Sequence, residues 1–332
     1  MEHTAFSAND FAPQDGKLSV YFKKFVEKKS DGFAAVFDGD IYIIDVGGTK
    51  DGGMLRFLTE LREKWLANAP KEVDTENARL EVHIIISHPH PDHVGALPFI
   101  LSDPRICVIE LIAPKRTYRS LPGPNFLSNL AVFEERLYGP LSLLSEYHHK
   151  TMEVKNLPYG KIFSIRPEKA DVKLDIYPSP LDWCENPDTY RYLLETSAKN
   201  NAFYREHPEI GCANGTLNGN SLWVKIQKGN QIVLITGDQK ADDAMLGNMI
   251  RFYGEEHFRC DVLKLPHHGE KNYPPYLIEV ASPVITVFTV SREIATPETK
   301  ALCEEVSTPY FLGDGNLILT LDGKTIEAEQ YK

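Results

Sequence analysis

The sequence predicts an α/β protein, and two observations support this fold class. Short apolar, β-branched runs of strand length alternate with amphipathic segments of helical spacing along the 332 residues. Apolar side chains make up 42% of the chain, which is enough to fill a large core. Several of the apolar runs end in an aspartate or a histidine, so the strands are expected to carry polar groups at their ends.

The first such run lies at residues 40–48 and reads Asp-Ile-Tyr-Ile-Ile-Asp-Val-Gly-Gly. This pattern is typical of a strand that ends in Asp45 and a glycine turn, and residues 30–39 supply the preceding hairpin. An aspartate before two glycines is also a common turn former, so Asp45 alone does not indicate a site.

The second apolar run, residues 80–86, leads into Ser-His-Pro-His-Pro-Asp-His at residues 87–93. The two prolines restrict the backbone and stiffen this loop. Three imidazoles and a carboxylate within it offer ligands for one or two divalent metals, and such a cluster would be costly to bury without a metal. Residues 94–100 are expected to start a helix, with Gly95 allowing close approach to the loop. The pattern predicts metal-assisted hydrolysis.

Two later runs repeat this design. Residues 231–238, Gln-Ile-Val-Leu-Ile-Thr-Gly-Asp, end in Asp238, and residues 262–269, Val-Leu-Lys-Leu-Pro-His-His-Gly, end in two histidines and a glycine. His267 comes directly off the strand and is slightly favoured as a ligand, but the sequence does not separate it from His268. The histidine that is not a ligand would handle protons or contact the substrate.

His-x-His-x-Asp-His after an apolar strand resembles the signature of the metallo-β-lactamase superfamily, and the resemblance extends through most of the chain. It implies a four-layer αββα sandwich in which Asp45 holds the metal loop by hydrogen bonds and Asp238 bridges two metals. One of the two adjacent histidines would close the second metal site. The metal ligands implied in this way are His88, His90, Asp92, His93, Asp238 and His267.

Residues 218–226, Asn-Gly-Asn-Ser-Leu-Trp-Val-Lys-Ile, make the sequence resemble one branch of that superfamily. The branch contains the nuclease-like domain of ComEC-type DNA-uptake channels, with phosphorylcholine esterases near it, and both act on phosphodiesters. The histidine of the superfamily's third motif is absent here. His207 either folds back to replace it or is a solvated loop residue. Asn220 and Ser221 either bind a substrate oxygen or form a turn at a strand edge.

Two departures from the DNA-uptake relatives concern the substrate. Glu270 stands where those relatives usually have a serine after His-His-Gly, and residues 295–297, Ala-Thr-Pro, replace a His-Pro pair. A negative Glu270 beside the metals would repel a polyanion unless a cation or metal masks it. Nucleic acid therefore stays open as a substrate and is not the first expectation.

The overall charge supports this caution. The chain has 36 Lys and Arg residues against 47 Asp and Glu residues, which gives a formal charge of -11. A protein that binds nucleic acid through its phosphates normally has a basic face. Short basic clusters occur near residues 23–29 and 115–119, and both are more typical of solvated surface charge.

The motifs run from Asp45 to His268, so the chain is expected to form one domain over residues 1–332. Segments at about 118–160 and 184–219 look like insertions into the minimal fold. They would form either a lid over the metal face or a surface appendage or dimer contact. The oligomeric state is open.

Five scattered cysteines without metal-type spacing indicate reduced thiols. The chain shows neither a signal-peptide pattern nor an apolar run of membrane-spanning length, so it is expected to be cytoplasmic, with no membrane partner.

The leading functional hypothesis is a hydrolase that uses a metal-bound hydroxide on a phosphodiester, either a small molecule or a nucleic acid. Asp92 would ligate a metal and orient the hydroxide, while either the spare histidine of the pair or a metal-bound water protonates the leaving group. Zinc is the default metal, with manganese or iron as alternatives. The alternative enzyme is a lactone, thioester or β-lactam hydrolase, and the alternative of another class is a non-catalytic metal-binding scaffold.

Overall fold

The computed structural model describes residues 7–25, 29–48, 52–71, 75–115, 152–167, 171–180, 215–239, 243–270 and 275–332, with residues 191, 195, 205 and 206. The strands among them are β1 Leu18–Phe22, β2 Gly32–Phe37, β3 Asp40–Val46, β4 Leu80–Ile85, β5 Ile106–Pro114, β6 Glu153–Leu157, β7 Phe163–Ile165, β8 Val172–Tyr177, β9 Trp223–Lys228, β10 Gln231–Ile235, β11 Val262–Lys264, β12 Ile285–Phe288, β13 Thr308–Phe311, β14 Asn316–Leu321 and β15 Ile326–Tyr331. The α-helices with defined bounds are α1 Gly53–Leu66, α2 Pro91–Val94, α3 Leu97–Ser102, α4 Asp243–Tyr253, α5 Pro275–Ala281 and α6 Pro297–Val306.

The strands form two mixed sheets. The first has the order β15-β14-β1-β2-β3-β4-β5-β6, and the second has the order β13-β12-β11-β10-β9-β8-β7. Strands β3 to β6 are parallel to one another, as are strands β10 to β13. The remaining neighbours pair antiparallel, including β2 with β3 and β9 with β10.

Three apolar clusters hold four layers together. The inner faces of the two sheets meet in one cluster, to which β1 contributes its alternate residues Leu18, Val20 and Phe22. A second cluster lies between the outer face of the first sheet and helices α1 and α3. A third lies between the outer face of the second sheet and helices α4, α5 and α6. This arrangement is the αββα metallo-β-lactamase sandwich that the motifs predicted.

The four predicted motif strands are confirmed as β3, β4, β10 and β11. The helix expected from residue 94 is instead two short helices, because α2 ends at Val94 and α3 begins at Leu97. Pro91 and Pro98 stand in the first turns of these helices, where a missing N–H costs no hydrogen bond.

Most of the two predicted insertions falls outside the described residues. Of the first, Glu153–Leu157 forms β6, the edge strand of the first sheet. Of the second, residues 215–219 form a short helix before β9. His207 and the basic residues Arg116 and Arg119 also lie outside the described part of the chain. No helix within the described ranges combines the length and the apolar character needed to cross a membrane.

Candidate metal centre

The predicted site residues lie at the carboxyl ends of two pairs of parallel strands, one pair in each sheet. The loop 87–93 follows β4, Asp45 is the penultimate residue of β3, Asp238 follows β10, and the two histidines follow β11. Strand β2 is antiparallel to β3, with Gly32 paired to Val46, so its first residues lie at the same edge. This geometry brings Asp31, which precedes β2, into the site.

Four side chains converge on one point, and we call them the carboxylate half-site: Asp92, His93, Asp238 and His268. The Oδ2 atom of Asp238 lies 3.2 Å from Nε2 of His93 and 3.0 Å from Nε2 of His268. The Oδ2 atom of Asp92 lies 3.2 Å from Nε2 of His268 and 4.0 Å from Nε2 of His93. Asp92 is the most exposed of the four, with 28% of its side chain accessible, so it faces the opening of the site.

Two further carboxylates hold the imidazoles of this half-site from behind. Asp45 accepts a hydrogen bond of 2.7 Å from Nδ1 of His93, and Asp31 accepts one of 2.9 Å from Nδ1 of His268. Asp45 also accepts bonds from the backbone N–H and the hydroxyl of Ser87, each 2.7 Å long. A carboxylate behind an imidazole directs the other ring nitrogen towards a metal. The predicted role of Asp45 in holding the loop agrees with these bonds.

The imidazole half-site, formed by His88 and His90, is built differently. Nε2 of His88 lies 2.9 Å from Nδ1 of His90, a separation that lets both nitrogens face one ion. Nδ1 of His88 contacts the hydroxyl of Ser87 at 3.0 Å, so a neutral oxygen supports it. Burial, together with the neighbouring His93, lowers the pKa of His88 well below its ordinary value.

The charges of the carboxylate half-site fit a cation. Burial alone would lower the pKa of His93 and of His268, but the surrounding carboxylates, Asp238 foremost, raise both well above the ordinary value. Burial would likewise raise the pKa of Asp238, yet His268 and His93 hold it well below its usual range. Protons on the imidazoles therefore balance the carboxylates here, and a divalent ion can replace those protons.

Geometry gives an independent test of the fit. Asp31, His93, Asp238 and His268 each offer a ligand atom within 4.8 Å of the others, and all four are buried. The Oδ1 atom of Asp238 is buried without a hydrogen-bond partner in the described part of the chain. Asp31 uses its oxygens on His268 and Lys264, so we assign it to the support of the site and assign the ligand position to Asp92.

The turn that carries the two histidines has an unusual backbone. His267 and His268 have φ of 48° and 62°, and Gly269 follows with φ of 81°. Side chains other than glycine rarely adopt this region, and strain of this kind is concentrated at functional sites. The turn directs His268 into the carboxylate half-site, while Nε2 of His267 lies 3.5 Å from Oε1 of Glu270. The ligand role of His267 stays a prediction.

Glu270 is paired with a cation. Its carboxylate forms an ion pair with Lys29, and only 9% of its side chain is exposed. Lys29 itself is half exposed. Lys29 therefore neutralises Glu270, which would otherwise repel an anionic substrate.

The residues at the third-motif position take part in local contacts. The backbone N–H of Asp238 donates to the hydroxyl of Ser221 over 3.2 Å, and Ser221 is fully buried. The Nδ2 atom of Asn220 donates to the hydroxyl of Tyr159 over 3.3 Å. Ser221 therefore supports the segment that carries Asp238, and substrate binding by either residue stays a prediction.

Three functional candidates were missed in the sequence: Asp31, Lys264 and the role of Lys29. Asp31 precedes a glycine at the start of a strand, which looks like a turn. The antiparallel pairing of the predicted hairpin was the signal that could have placed it at the metal edge. Lys264 interrupts an apolar strand, and a charge at such a position is buried only with a partner.

No protein-family model and no curated protein matches the sequence. Solved structures with a similar fold include YhfI from Bacillus subtilis, described as a metallo-β-lactamase fold protein, at 9% identity and a TM-score of 0.43, covering 90% of this chain and 96% of that one. A diphosphatase from the PhnP family matches at 12% identity and a TM-score of 0.43, covering 92% and 98%. Zinc-bound PqqB from Methylobacterium extorquens matches at 9% identity and a TM-score of 0.44, covering 92% and 99%. These identities indicate nothing about the reaction of this chain.

The described part of the chain is an αββα sandwich with a buried cluster of aspartates and histidines at the ends of strands from both sheets.

Proposed function

We propose that this protein is a metal-dependent phosphodiesterase, related to the ComEC-type branch, with a small molecule or a nucleic acid as its substrate. The observation that carries the proposal is the carboxylate half-site, in which the Nε2 atoms of His93 and His268 each lie within 4.0 Å of a carboxylate oxygen of both Asp92 and Asp238. Such a set of two carboxylates and two imidazoles suits zinc, manganese or iron.

Zinc is the first choice of metal, held by the carboxylate half-site and more weakly by the imidazole half-site. A bound divalent ion would supply a nucleophile at neutral pH and a Lewis acid for the scissile group. The carboxylate half-site offers four side chains that could hold an ion, whereas the imidazole half-site offers two. The chain is therefore expected to bind two ions with unequal affinity.

The chain's own residues would position the substrate and move protons. Asp92 faces the opening and is placed to orient the attacking water. His267 has 19% of its side chain exposed beside Glu270, so it is placed to protonate the leaving oxygen. His268 contributes to the metal cluster, and its role is therefore to bind and not to transfer a proton.

The paired state of Glu270 supports an anionic substrate. An unpaired carboxylate at the mouth would repel a phosphodiester, but Lys29 neutralises it. Lys29 is also exposed enough to contact a phosphate oxygen. The same pairing is compatible with a polyanion, which keeps nucleic acid within the proposal.

Hydrolysis of a generic aryl phosphodiester tests this proposal. Protein loaded with zinc or manganese is expected to release the aryl group, and Asp238→Ala is expected to lose that activity. Asp175→Ala provides a matched control, because Asp175 is a buried carboxylate paired with Lys173 at 2.5 Å on the strand β8 and lies outside the cluster.

The other outcomes lead to the alternative functions. Turnover of a lactone, thioester or β-lactam without any turnover of the phosphodiester would replace this proposal with the second enzyme hypothesis. Tight metal binding without turnover of either substrate class would favour a non-catalytic scaffold. Equal phosphodiesterase activity in wild type and Asp238→Ala would show that the activity does not arise at this site.

A further inference from the structure

A fully buried ion pair lies directly behind the carboxylate half-site. Asp31 and Lys264 are both 0% exposed, and Oδ2 of Asp31 pairs with Nζ of Lys264. Asp31 precedes β2 in the first sheet and Lys264 ends β11 in the second, so the pair joins the two sheets. Removing two charges from water is costly, and apolar side chains at such positions usually serve stability as well or better. The pair therefore requires an explanation other than packing.

We propose that Asp31 and Lys264 are positioning residues of the metal centre, with Asp31 fixing the orientation of the His268 imidazole and Lys264 holding the segment that carries Asp238. This inference rests on the metal site of the proposed function and is independent of the substrate.

The orientation of the His268 imidazole depends on what its Nδ1 atom contacts. Thr289 Oγ1 lies 3.1 Å from Nδ1, and Asp31 Oδ1 lies 2.9 Å from it. A hydroxyl can donate or accept, so Thr289 alone does not fix the direction of this hydrogen bond. A carboxylate can only accept, so Nδ1 donates to Asp31 and the ring is held with Nε2 directed at Asp92 and Asp238, the side on which an ion would bind.

Asp31 also contacts the metal loop through its backbone. Its N–H donates to the carbonyl of Asp92 over 3.0 Å. One residue therefore fixes the imidazole of His268 and the backbone of a second ligand at the same time. An ordinary surface turn would make neither contact.

Lys264 holds the end of β10 against the end of β11. Its Nζ atom donates to the carbonyl of Thr236 over 2.9 Å, and the hydroxyl of Thr236 donates to the carbonyl of Lys264 over 2.7 Å. Asp238 follows two residues after Thr236, and its Oδ1 lies 3.7 Å from the same Nζ. Lys264 also occupies Oδ2 of Asp31, which keeps that oxygen from competing for the ion.

Zinc titration against a chelator, with the metal alone as the probe, tests the role of Asp31. Asp31→Leu is expected to lower zinc affinity by roughly 10- to 100-fold, the usual effect of losing the partner behind a ligand. Asp31→Asn keeps an acceptor oxygen and is expected to retain most of the affinity. Asp175→Leu, which removes a buried carboxylate elsewhere, should leave zinc affinity unchanged.

Two spectroscopic readouts separate positioning from a merely structural role. In cobalt-loaded protein, Asp31→Leu should change the visible absorption bands while Asp31→Asn keeps them close to those of wild type, because the orientation of the His268 ligand depends on the acceptor behind it. In cobalt-loaded protein, Lys264→Met should change the visible absorption bands, because the ligand geometry changes. An unchanged cobalt spectrum in folded Lys264→Met would overturn the role of Lys264.

The outcomes for Asp31 are distinguishable from failure of the proposed function. Folded Asp31→Leu that binds zinc as tightly as wild type would overturn the inference and leave the phosphodiesterase proposal intact. Wild-type protein that binds no zinc would overturn both. If Asp31→Leu fails to fold, Asp31→Ala decides, and folded Asp31→Ala that binds zinc as tightly as wild type would contradict the inference.

Discussion

The two half-sites of this centre share a loop but differ in what lies behind their ligands. In the carboxylate half-site, each imidazole is backed by a buried aspartate, Asp45 for His93 and Asp31 for His268. In the imidazole half-site, a serine hydroxyl backs His88. A charged acceptor increases the basicity of an imidazole ligand more than a neutral one does. Ligand count and ligand support therefore favour the same half-site.

Histidine and carboxylate side chains also cluster outside the metal centre, but there they neutralise one another. His83, Glu110 and Lys155 form another cluster on β4, β5 and β6, with His83 Nδ1 3.1 Å from Oε2 of Glu110 and Lys155 paired to its other oxygen. Here the single carboxylate of Glu110 is paired with two basic groups. The metal centre instead contains four aspartates, and their negative charge favours the binding of a cation. These are Asp31, Asp45, Asp92 and Asp238.

The largest effect is expected from the two adjacent histidines, which should separate binding from proton transfer. His268→Ala should remove the tightly bound ion and lower turnover by about 1,000-fold or more, since metal assistance is worth several kcal/mol. His267→Ala should keep the metal and lower kcat by roughly 100- to 10,000-fold. Metal content by elemental analysis and steady-state kinetics measure both. Loss of the ion in His267→Ala with retention in His268→Ala would reverse the assignment.

Replacing a ligand of the weaker half-site should have a smaller effect on metal content. His88→Ala is expected to leave one zinc bound per chain with nearly wild-type affinity and to lose the second. Calorimetric titration of both proteins measures the two binding steps. A variant that loses all zinc would show that the half-sites depend on each other, contrary to the comparison.

The ion pair of Lys29 with Glu270 is expected to affect the binding of an anionic substrate. Lys29→Met leaves Glu270 uncompensated, so KM for an anionic phosphodiester should rise by about tenfold while metal content stays constant. Lys29→Met with Glu270→Gln removes both charges and should recover most of the loss. Equal KM in all three proteins would exclude the pair from substrate recognition.

The smallest effect is expected outside the centre. A hydrogen bond from His83, helped by Lys155, lowers the pKa of the buried Glu110 against the effect of burial. A lowered carboxyl pKa stabilises the folded state above the unfolded pKa, and that contribution is lost as pH falls through the folded pKa. Glu110→Gln should therefore cost about 1 kcal/mol or less at neutral pH and nothing in acid. Urea unfolding at both pH values measures this, with zinc affinity unchanged.

The sequence predicted the fold because its strong signals were local. Each motif strand is a continuous apolar run, and the loop 87–93 places several ligands within a few residues. The choice between His267 and His268 was not local, since it depends on two consecutive residues with positive φ. Neither propensity nor periodicity predicts such a turn for histidine.

Asp31 and Lys264 lie 233 positions apart in the numbering and come from different sheets, so no spacing rule relates them. Their pairing follows from how the two sheets face each other, which the sequence pattern does not specify. Glu270 and Lys29 are likewise far apart in the sequence, so the sequence alone did not show that the charge of Glu270 is neutralised.

We expect the carboxylate half-site to bind its ion more tightly than the imidazole half-site. Zinc titration of the metal-free wild-type protein by calorimetry tests this directly. One zinc per chain should bind tightly, and a second should bind at least about tenfold more weakly. Two zinc ions of equal affinity, or a tight ion that survives the removal of His268 but not of His88, would contradict it.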